Sequence, residues 1–400
     1  MTIITPADGD SMKIALFSET YSPDVNGVVA HVKTLKSGLE QLGHEVLVVA
    51  ADKHCKHHYV QDGILHCPSI EAKRFYGFGV AAPFPRKRMR LIKDFAPDII
   101  HIHQEFGIGL SGVLAARRLG KPLVYTLHTM YDQYVYYVAP RPFLAVATKV
   151  SHQYMRFIAN RAQALTGPSQ KCREYFARIG VDKPISIIPN SADLDMFGLS
   201  KVSEDAKAQV SGRFGIPRDK TLAIFVGRLG KEKSVDVLLE YWAKEIRPEH
   251  NLHLVIVGGG PHKKPLEQMA RDLDIQNRVT FTGMVSHTEM PALFAVCDVY
   301  VTASLSEMNS ISMLEGMASG LPTLQRYDEL NKSQIVESIN GWLYDNENDF
   351  AKHLLRIAGM SREEKDTMKI TVHRSVVDRG SGDLAKYMLG IYEGAARSQH

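Results

Sequence analysis

Short apolar runs alternate with helical patterns along nearly the whole chain. Runs of this kind predict strands buried on both faces, and helices between them cover those faces. The alternation is typical of βαβ units and parallel sheets. The predicted strands form two series, which are 14–17, 45–49, 99–102, 123–126, 164–167 and 185–188, then 222–226, 252–257, 279–282, 299–303 and 322–324.

A polar stretch at about 193–219 separates the two series. We therefore predict an α/β protein with two doubly wound Rossmann-like domains that face each other across a cleft. They comprise residues 12–195 and 196–381, and a C-terminal helix at about 382–400 packs back on the first. Four hundred residues with 44% hydrophobic content suffice for two cores. We set residues 1–11 aside as a leader.

Composition excludes several function classes. No apolar run approaches the roughly 20 residues of a membrane span, and the N-terminus lacks the pattern of a signal peptide. The four cysteines are scattered, as expected in a reducing compartment. We therefore expect a cytoplasmic protein. With a net charge of only +4 and no recognition module, nucleic acid is a poor partner.

Two carboxylates, Glu307 and Glu315, follow the predicted strand 299–303. One lies where the strand ends, and the other lies inside the helix that begins next. The N-terminus of such a helix suits a diphosphate, and flanking carboxylates suit the hydroxyls of a nucleotide-sugar. A solvated helix position explains one such Glu as well, but it does not explain the pair together with the basic loop upstream.

That basic loop follows the strand 222–226 and carries Arg228 and Lys233. Two cations there can neutralise a diphosphate leaving group as its charge develops. A second loop, Gly258 to Gly260, lets the backbone pass close to a ligand, but this signal is weak alone. It is not a G-x-G-x-x-G motif and lacks the acidic ribose ligand, so a nicotinamide enzyme is disfavoured.

These motifs together resemble those of the retaining glycosyltransferases of family 4, which have the GT-B fold. The resemblance covers residues 12 to about 392. It implies that Glu307 holds sugar hydroxyls and Glu315 the nucleotide ribose. Arg228 and Lys233 match the cations at the diphosphate. The resemblance also implies donor contacts from backbone groups, those of Met284 at the base and of Asn309, Ser310 and Ile311 at the distal phosphate.

Two serines, Ser191 and Ser310, stand where the family usually has glycine. If Ser310 must adopt a positive φ, its Cβ carries an energetic cost there, although its hydroxyl could donate a hydrogen bond.

The first half of the chain supplies further candidates through the same resemblance. The family's glycine-rich loop maps onto Gly27, and its histidine at the donor sugar maps onto His128. The spacing of Tyr131, Tyr134 and Tyr137 is similar to that of the bacterial diacylglycerol glucosyltransferases, and a tyrosine-rich core helix would explain it equally well.

A basic, aromatic segment favours a membrane-facing acceptor. The segment from Lys73 to Lys93, both included, has seven basic residues and no acidic one. The pattern suits a helix lying on anionic lipid, and a solvated basic helix that packs one face on its own domain suits it as well. The residues proposed to meet the acceptor or the membrane here are Phe75, Tyr76, Arg86, Lys87, Arg88 and Arg90.

We expect no metal and no cofactor other than the nucleotide-sugar substrate. The cluster of His54, Cys55, His57 and His58, with His66 and Cys67 nearby, fits no standard zinc spacing and is typical of an exposed loop. The residues we assign to catalysis are His128, Arg228, Lys233 and Glu307.

The function predicted from sequence is transfer of a hexose, glucose from UDP-glucose, to a lipid hydroxyl, and the family resemblance implies retention by a front-face mechanism. The expected acceptor is a membrane lipid such as diacylglycerol, and a cytoplasmic protein could meet it as a peripheral protein on the inner face of the cell membrane. Alternatives are a transferase with a soluble or protein acceptor and a non-catalytic GT-B subunit that binds a partner enzyme or a glycan. An epimerase or phosphorylase is disfavoured, and the oligomeric state is open.

Overall fold

The structure is a computed structural model that describes residues 11–24, 26–72, 78–130, 141–190, 194–199, 202–307, 309–330, 332–377 and 381–398. The chain divides into two compact units, one made of Met1–Ser191 and Gly380–His400 and the other of Ala192–Arg379. In the described part of the chain, no helix combines the length and apolarity that a membrane span needs.

Parallel strands build most of the first unit. Its strands are β1 (Lys13–Ser18), β2 (Glu45–Asp52), β3 (Tyr59–Gln61), β4 (Ile64–Ala72), β5 (Phe78–Ala81), β6 (Ile99–Ile102), β7 (Leu123–Thr126), β8 (Ala164–Gly167) and β9 (Ile185–Ile187). Its helices are α1 (Gly27–Gln41), α2 (Arg86–Phe95), α3 (Gly107–Leu119), α4 (Leu144–Arg161), α5 (Gln170–Arg178) and, at the C-terminus, α13 (Ser381–Arg397).

The sheet of the first unit has the order β3-β4-β2-β1-β6-β7-β8-β9, and β5 pairs with β4. The pairs β3–β4 and β4–β5 are antiparallel, and the others are parallel. The order reverses between β1 and β6. In open parallel sheets a ligand binds beyond the carboxyl ends of the strands at such a switch point.

One face of this sheet is covered by α1 and α13. Leu384, Met388 and Tyr392 of α13 are buried in the same core as Leu16 of β1 and Leu35 of α1. The C-terminal helix therefore completes the core of the first unit.

The second unit is continuous in sequence and has a fully parallel sheet. Its strands are β10 (Thr221–Val226), β11 (Leu252–Val257), β12 (Val279–Gly283), β13 (Val299–Thr302), β14 (Thr323–Arg326) and β15 (Gly341–Tyr344), in the order β12-β11-β10-β13-β14-β15. Its helices are α6 (Glu204–Phe214), α7 (Val235–Glu245), α8 (Lys263–Asp272), α9 (Met290–Val296), α10 (Ile311–Ala318), α11 (Glu347–Ala358) and α12 (Arg362–Val377).

Alternation of side chains along β11 explains why this strand reads as an apolar run from Leu254 to Val257. Leu254 and Ile256 belong to the core on one face of the sheet, whereas Val255 and Val257 belong to the core on the other. Successive side chains of a strand point to opposite faces, so a strand covered on both sides has no polar face. The switch point of this sheet lies between β10 and β13.

Each strand predicted from sequence is present, with small differences at the ends. The sequence analysis missed β3, β4, β5 and β15. The segment around Cys67 was predicted to be an exposed loop, which is wrong for that residue because Cys67 lies fully buried on β4. His54 and His57 are exposed, as expected.

Candidate active site

The switch point of the second unit brings together the charged residues that the sequence singled out. Arg228 and Lys233 lie in the loop after β10, and Glu307 lies in the loop after β13. Lys233 Nζ lies 2.6 Å from Glu307 Oε1. Both side chains are mostly buried, with 15% and 25% of their surface exposed. The predicted cation and the predicted carboxylate therefore form an ion pair.

Arg228 forms a second ion pair, with Glu232 four residues later. The Glu232 side chain is only 3% exposed. Gly230 makes this possible, because a Cβ at position 230 would collide with the Glu232 carboxylate. Glu232 was not predicted from the sequence, although its place in the same basic loop is a usable signal.

The glycines at 258–260 allow two backbone segments of the protein itself to lie in close contact. Gly258 has a φ of +135°, and a Cβ there would collide with the carbonyl oxygen of Gly227. Gly260 has a φ of +152° and approaches the carbonyl of Leu229 in the same way. These glycines thus let the loop after β11 pack directly against the loop that carries Arg228.

Helix α10 begins at the same switch point. Ser310 is its N-cap with a φ of −73°, and its Oγ accepts a hydrogen bond from the backbone N–H of Met313 at 3.3 Å. The position does not need a positive φ, so the serine is unstrained and supplies a preferred N-cap side chain. Asn309, Ser310 and Ile311 have buried side chains around this helix start. Ser191 lies outside the described residues.

One hydroxyl on α10 and one on β13 both bind the end of β10. Ser312 Oγ donates to the carbonyl oxygen of Val226 at 3.0 Å, and Tyr300 OH donates to the same oxygen at 3.1 Å. The helix N-terminus is thereby fixed next to the loop of Arg228 and Lys233. Its partial positive charge and those cations lie at one edge of the sheet.

Glu315 lies further along α10, and its side chain is only 9% exposed. His287, in the loop after β12, places Nε2 2.9 Å from Glu315 Oε1 and packs edge-on against Phe197. The sequence analysis missed His287, which is 28 residues from its partner. Met284, by contrast, is 70% exposed beside the same strand end.

The loop after β1 in the first unit is fixed by a side-chain network. Asn26 is the N-cap of α1 and accepts from the N–H of Val29 at 3.0 Å, so Gly27 is the first residue of the helix and is exposed. Gln104, just after β6, accepts from the N–H of Thr20 at 2.7 Å. The two strands that flank the switch point thus have their following loops tied together.

His128 is not a lone histidine. It follows β7 and lies beside His103, which follows β6, and His31 of α1. His103 Nδ1 lies 3.1 Å from His128 Nε2, and His31 Nδ1 lies 3.1 Å from Asn190 Oδ1. His101 stands next to His103, with ring centroids 4.0 Å apart. Position directly after a strand was the available signal for His103, and the sequence analysis did not use it.

Burial keeps these imidazoles neutral. It lowers the pKa of His31 to about 4, an effect that the hydrogen bond to Asn190 partly opposes. The pKa values of His103 and His128 lie well below the ordinary value, first because of burial and then because neighbouring imidazoles repel a second charge. At neutral pH the ring of His128 can therefore donate and accept hydrogen bonds but carries no charge.

Glu19, at the end of β1, is a buried carboxyl group that the sequence analysis also missed. Its two oxygens accept hydrogen bonds from the N–H groups of Ala81 and Ile108, at 2.9 and 2.8 Å. Burial raises its pKa to about 7, although these two bonds and the charge of Arg88 oppose the shift. The group joins β5 and α3 to the loop after β1.

Helix α2 was predicted to lie on a membrane surface, but its residue Arg88 is buried. This residue of α2 is 1% exposed, and its Nη1 donates to Ala82 O at 2.8 Å and to Ser111 Oγ at 2.6 Å. Assigning Arg88 to a membrane surface was therefore wrong. Helix α2 packs one face on its own unit through Arg88 and Ile92, whereas Arg86, Lys87 and Arg90 are exposed.

The remaining acceptor candidates, Phe75, Tyr76, Tyr131, Tyr134 and Tyr137, lie outside the described residues.

A different helix exposes an apolar stripe. On α4 and the residue before it, Phe143, Val146, Val150 and Phe157 are 62%, 62%, 63% and 40% exposed. They recur at helical spacing on one side. The helix sequence also contains Lys149, Arg156 and Arg161 and no acidic residue.

Comparisons with known proteins find similar proteins for both halves of the chain. A family model described as Glycosyltransferase Family 4 matches residues 25–196, and one described as Glycosyl transferases group 1 matches residues 207–370. The alpha-monoglucosyldiacylglycerol synthase of Acholeplasma laidlawii is 30% identical over 355 residues, which cover 86% of this chain and 88% of that protein.

A synthase of the same name from Streptococcus pneumoniae is 29% identical over 344 residues, covering 86% of this chain and 78% of the relative. Among solved structures, Anabaena HepE in complex with UDP and glucose has a TM-score of 0.73 at 16% identity, covering 96% of this chain and 99% of that chain.

Proposed function

The chain belongs to glycosyltransferase family 4 and is a hexosyltransferase with the GT-B fold, and from this premise we propose that it transfers glucose from UDP-glucose to a lipid hydroxyl with retention. One observation carries the proposal. Arg228, Lys233, Glu307 and Glu315 lie around the start of α10 at a single switch point.

We assign the donor from the charged groups at this switch point, which suit each part of a nucleotide-sugar. Two cations and a helix N-terminus suit the diphosphate, and two carboxylates suit hydroxyl groups on either side of it. In this scheme Glu315 holds the ribose and Glu307 the sugar. HepE is a protein whose solved structure contains UDP and glucose, which supports the choice of UDP as the nucleotide.

The proposed chemistry is stabilisation of the leaving group. As the bond between sugar and phosphate breaks, negative charge grows on the phosphate oxygen, and preorganised cations in a dry site stabilise that charge most. Lys233 would leave Glu307 for the phosphate, and Glu307 would then accept hydrogen bonds from sugar hydroxyls. The acceptor hydroxyl attacks from the face that the leaving group departs from and gives its proton to the departing oxygen.

On the family resemblance, we assign His128 and Gly27 of the first unit to the donor sugar. A neutral His128 fits a hydrogen-bonding role and does not fit a role as a permanent cation. In its contact with His103, one of the two facing ring nitrogens carries the proton and the other accepts it.

A lipid acceptor is supported by the two synthases, whose names state a monoglucosyldiacylglycerol as their product. Exposed apolar residues with basic neighbours suit an anionic membrane surface, and α4 presents such a surface. We therefore propose a peripheral protein on the inner face of the membrane that meets its acceptor there, with α4 as the contact helix.

Product analysis tests the function directly. The chain would be incubated with a panel of nucleotide-sugars and vesicles containing diacylglycerol, and the products examined by mass spectrometry and by NMR at the anomeric carbon. We expect an α-glucosyl lipid only with UDP-glucose. Transfer to a water-soluble acceptor would overturn the lipid assignment, and no transfer from any donor would favour a non-catalytic subunit.

A further inference from the structure

The three imidazoles of His31, His103 and His128 form a group whose hydrogen bonding is incomplete. Among the described residues, no partner lies within hydrogen-bond distance of His31 Nε2 or His103 Nε2, and both atoms are buried. His31 and His103 are 2% and 0% exposed. A buried polar atom without a partner costs free energy, so such atoms point to a missing ligand.

The position of Asn190 fixes the form of His31. Because Asn190 Oδ1 can only accept, His31 Nδ1 carries the proton and donates it. Its Nε2 therefore carries a lone pair, the form in which histidine binds a metal. An oxygen acceptor on the other ring nitrogen is also the usual outer partner of a metal-bound histidine.

We propose that His31, His103 and His128 bind one divalent transition-metal ion of the zinc type. One ring nitrogen from each residue lies within 4.8 Å of those of the other two. Tetrahedral bonds of about 2.0–2.1 Å would need these nitrogens somewhat closer, at about 3.3 Å, which small ring movements achieve.

The ligand chemistry selects the ion. Three neutral imidazoles suit Zn²⁺, Co²⁺ or Cu²⁺, whereas Mg²⁺ and Ca²⁺ need oxygen ligands. Binding requires the proton shared by His103 and His128 to move to another ring nitrogen, so that each ring offers a lone pair. The fourth position of the ion stays open to an oxygen from water or from a bound anion.

The consequence for catalysis rests on the proposed function. If His128 meets the donor sugar, an ion bound to it occupies the place of that sugar. The ion is then an inhibitor that competes with the donor, and it is not a cofactor of the transfer.

Titration of the purified full chain with CoCl₂ alone tests the site without any sugar donor. We expect one ion per chain with the visible absorption of tetrahedral cobalt, and three paramagnetically shifted imidazole N–H signals by NMR. His31→Asn or His103→Asn should weaken binding by at least about 100-fold, since even loss of an outer partner costs 10–100-fold.

The matched control is the double variant His54→Ala, His57→Ala, which removes two exposed histidines elsewhere and should leave the cobalt spectrum unchanged. Absence of the spectrum in the unmodified chain overturns the site, even if the buried variants fail to fold. Loss of the cobalt spectrum in the His54→Ala, His57→Ala double variant also overturns the site. If cobalt binds and Zn²⁺ does not compete with UDP-glucose in a transfer assay, the inhibitory role is overturned and the site remains. If the chain transfers no glucose in the absence of metal, the proposed function is overturned, but the metal site is not.

Discussion

Lys233 and Glu307 neutralise each other across the two loops that flank the switch point of the second unit, with Nζ and Oε1 2.6 Å apart. Neither charge is left to be desolvated alone, which keeps the site stable before a donor binds. In the proposed function, a phosphate of the donor replaces the carboxylate at the ammonium group. The pair is therefore placed to exchange partners when a nucleotide-sugar arrives.

Replacing Lys233 with Ala should lower kcat/KM by about 10²–10³-fold, the usual effect of removing one group that stabilises transition-state charge. Steady-state kinetics with UDP-glucose measures this. Lys231→Ala is the matched control, because Lys231 lies in the same loop but is exposed, and we expect its activity within about twofold of the unmodified chain. Equal losses in both variants would show that only the local charge matters.

Replacing Glu315 with Ala should weaken UDP binding by about 10–100-fold, because a hydrogen bond to a charged group contributes about 1.5–3 kcal/mol. Isothermal titration calorimetry with UDP checks this. Glu249 is an exposed glutamate of the same unit, and Glu249→Ala should bind UDP normally. An unchanged affinity in Glu315→Ala would remove Glu315 from the nucleotide site.

Replacing Arg88 with Ala should destabilise the first unit by about 2–4 kcal/mol, since it removes two hydrogen bonds of a buried side chain and a positive charge that favours the ionised form of Glu19. Arg90→Ala, an exposed neighbour on the same helix, should change stability by less than about 0.5 kcal/mol. Hydrogen exchange of the β1 amides in denaturant reports the first unit.

Both tryptophans of the chain, Trp242 and Trp342, lie in the second unit. Their fluorescence transition should therefore stay in place in Arg88→Ala. A shift of that transition as large as the loss in the first unit would contradict a local role for Arg88.

Glu19 should make the first unit less stable as pH rises from about 4.5 to about 7. Its folded pKa of about 7 lies above the ordinary value of 4.5, so the folded state binds more protons in that window and the free energy of unfolding falls as pH increases. The total change is about 3 kcal/mol. Comparing hydrogen exchange of the β1 amides in denaturant at pH 5 and pH 8 measures it. Glu19→Gln should be less pH-dependent, and an equal slope in that variant would assign the effect to another group.

Replacing Val150 with Asp should reduce sedimentation with anionic vesicles at least about tenfold, because it removes the burial of an apolar side chain and adds a repelled charge. Tyr387→Asp is the control, since Tyr387 is 68% exposed on α13. The triple variant Arg86→Ala, Lys87→Ala, Arg90→Ala tests α2 alongside it. Loss of sedimentation in the triple variant alone would move the membrane contact back to α2.

The sequence was informative wherever a strand is buried on both faces, because such a strand shows as a mostly apolar run. Strands β1, β10 and β11 are of this kind. Strand β3 is exposed along its length and β4 carries polar residues, so neither stands out in the sequence. Strand β15 has the apolar pattern but is short, and its place beside β14 depends on contacts distant in sequence.

Candidate residues were found where a motif places them next to a strand end, as with Lys233 and Glu307. The ion-pair partner of such a residue was predicted only where the partner itself lies in a loop with a recognisable motif, as Glu307 does. His287 reaches Glu315 from a loop 28 residues away, and no local pattern marks it. The inward direction of Arg88 was likewise invisible, because a basic residue in a basic helix gives no sign of the buried acceptors Ala82 and Ser111.

Helix α13 belongs to the first unit, although the second unit separates it in sequence from the rest of that unit. In α13, Tyr392 is fully buried and hydrogen-bonded to His101 at 2.8 Å. During synthesis the later half of the molecule can thus mature first, since all its strands and helices emerge together. Until α13 has been synthesised, the sheet face that α1 and α13 share in the earlier half is only partly covered. A premature stop codon shortly before α13 would therefore damage the part of the protein that was made first.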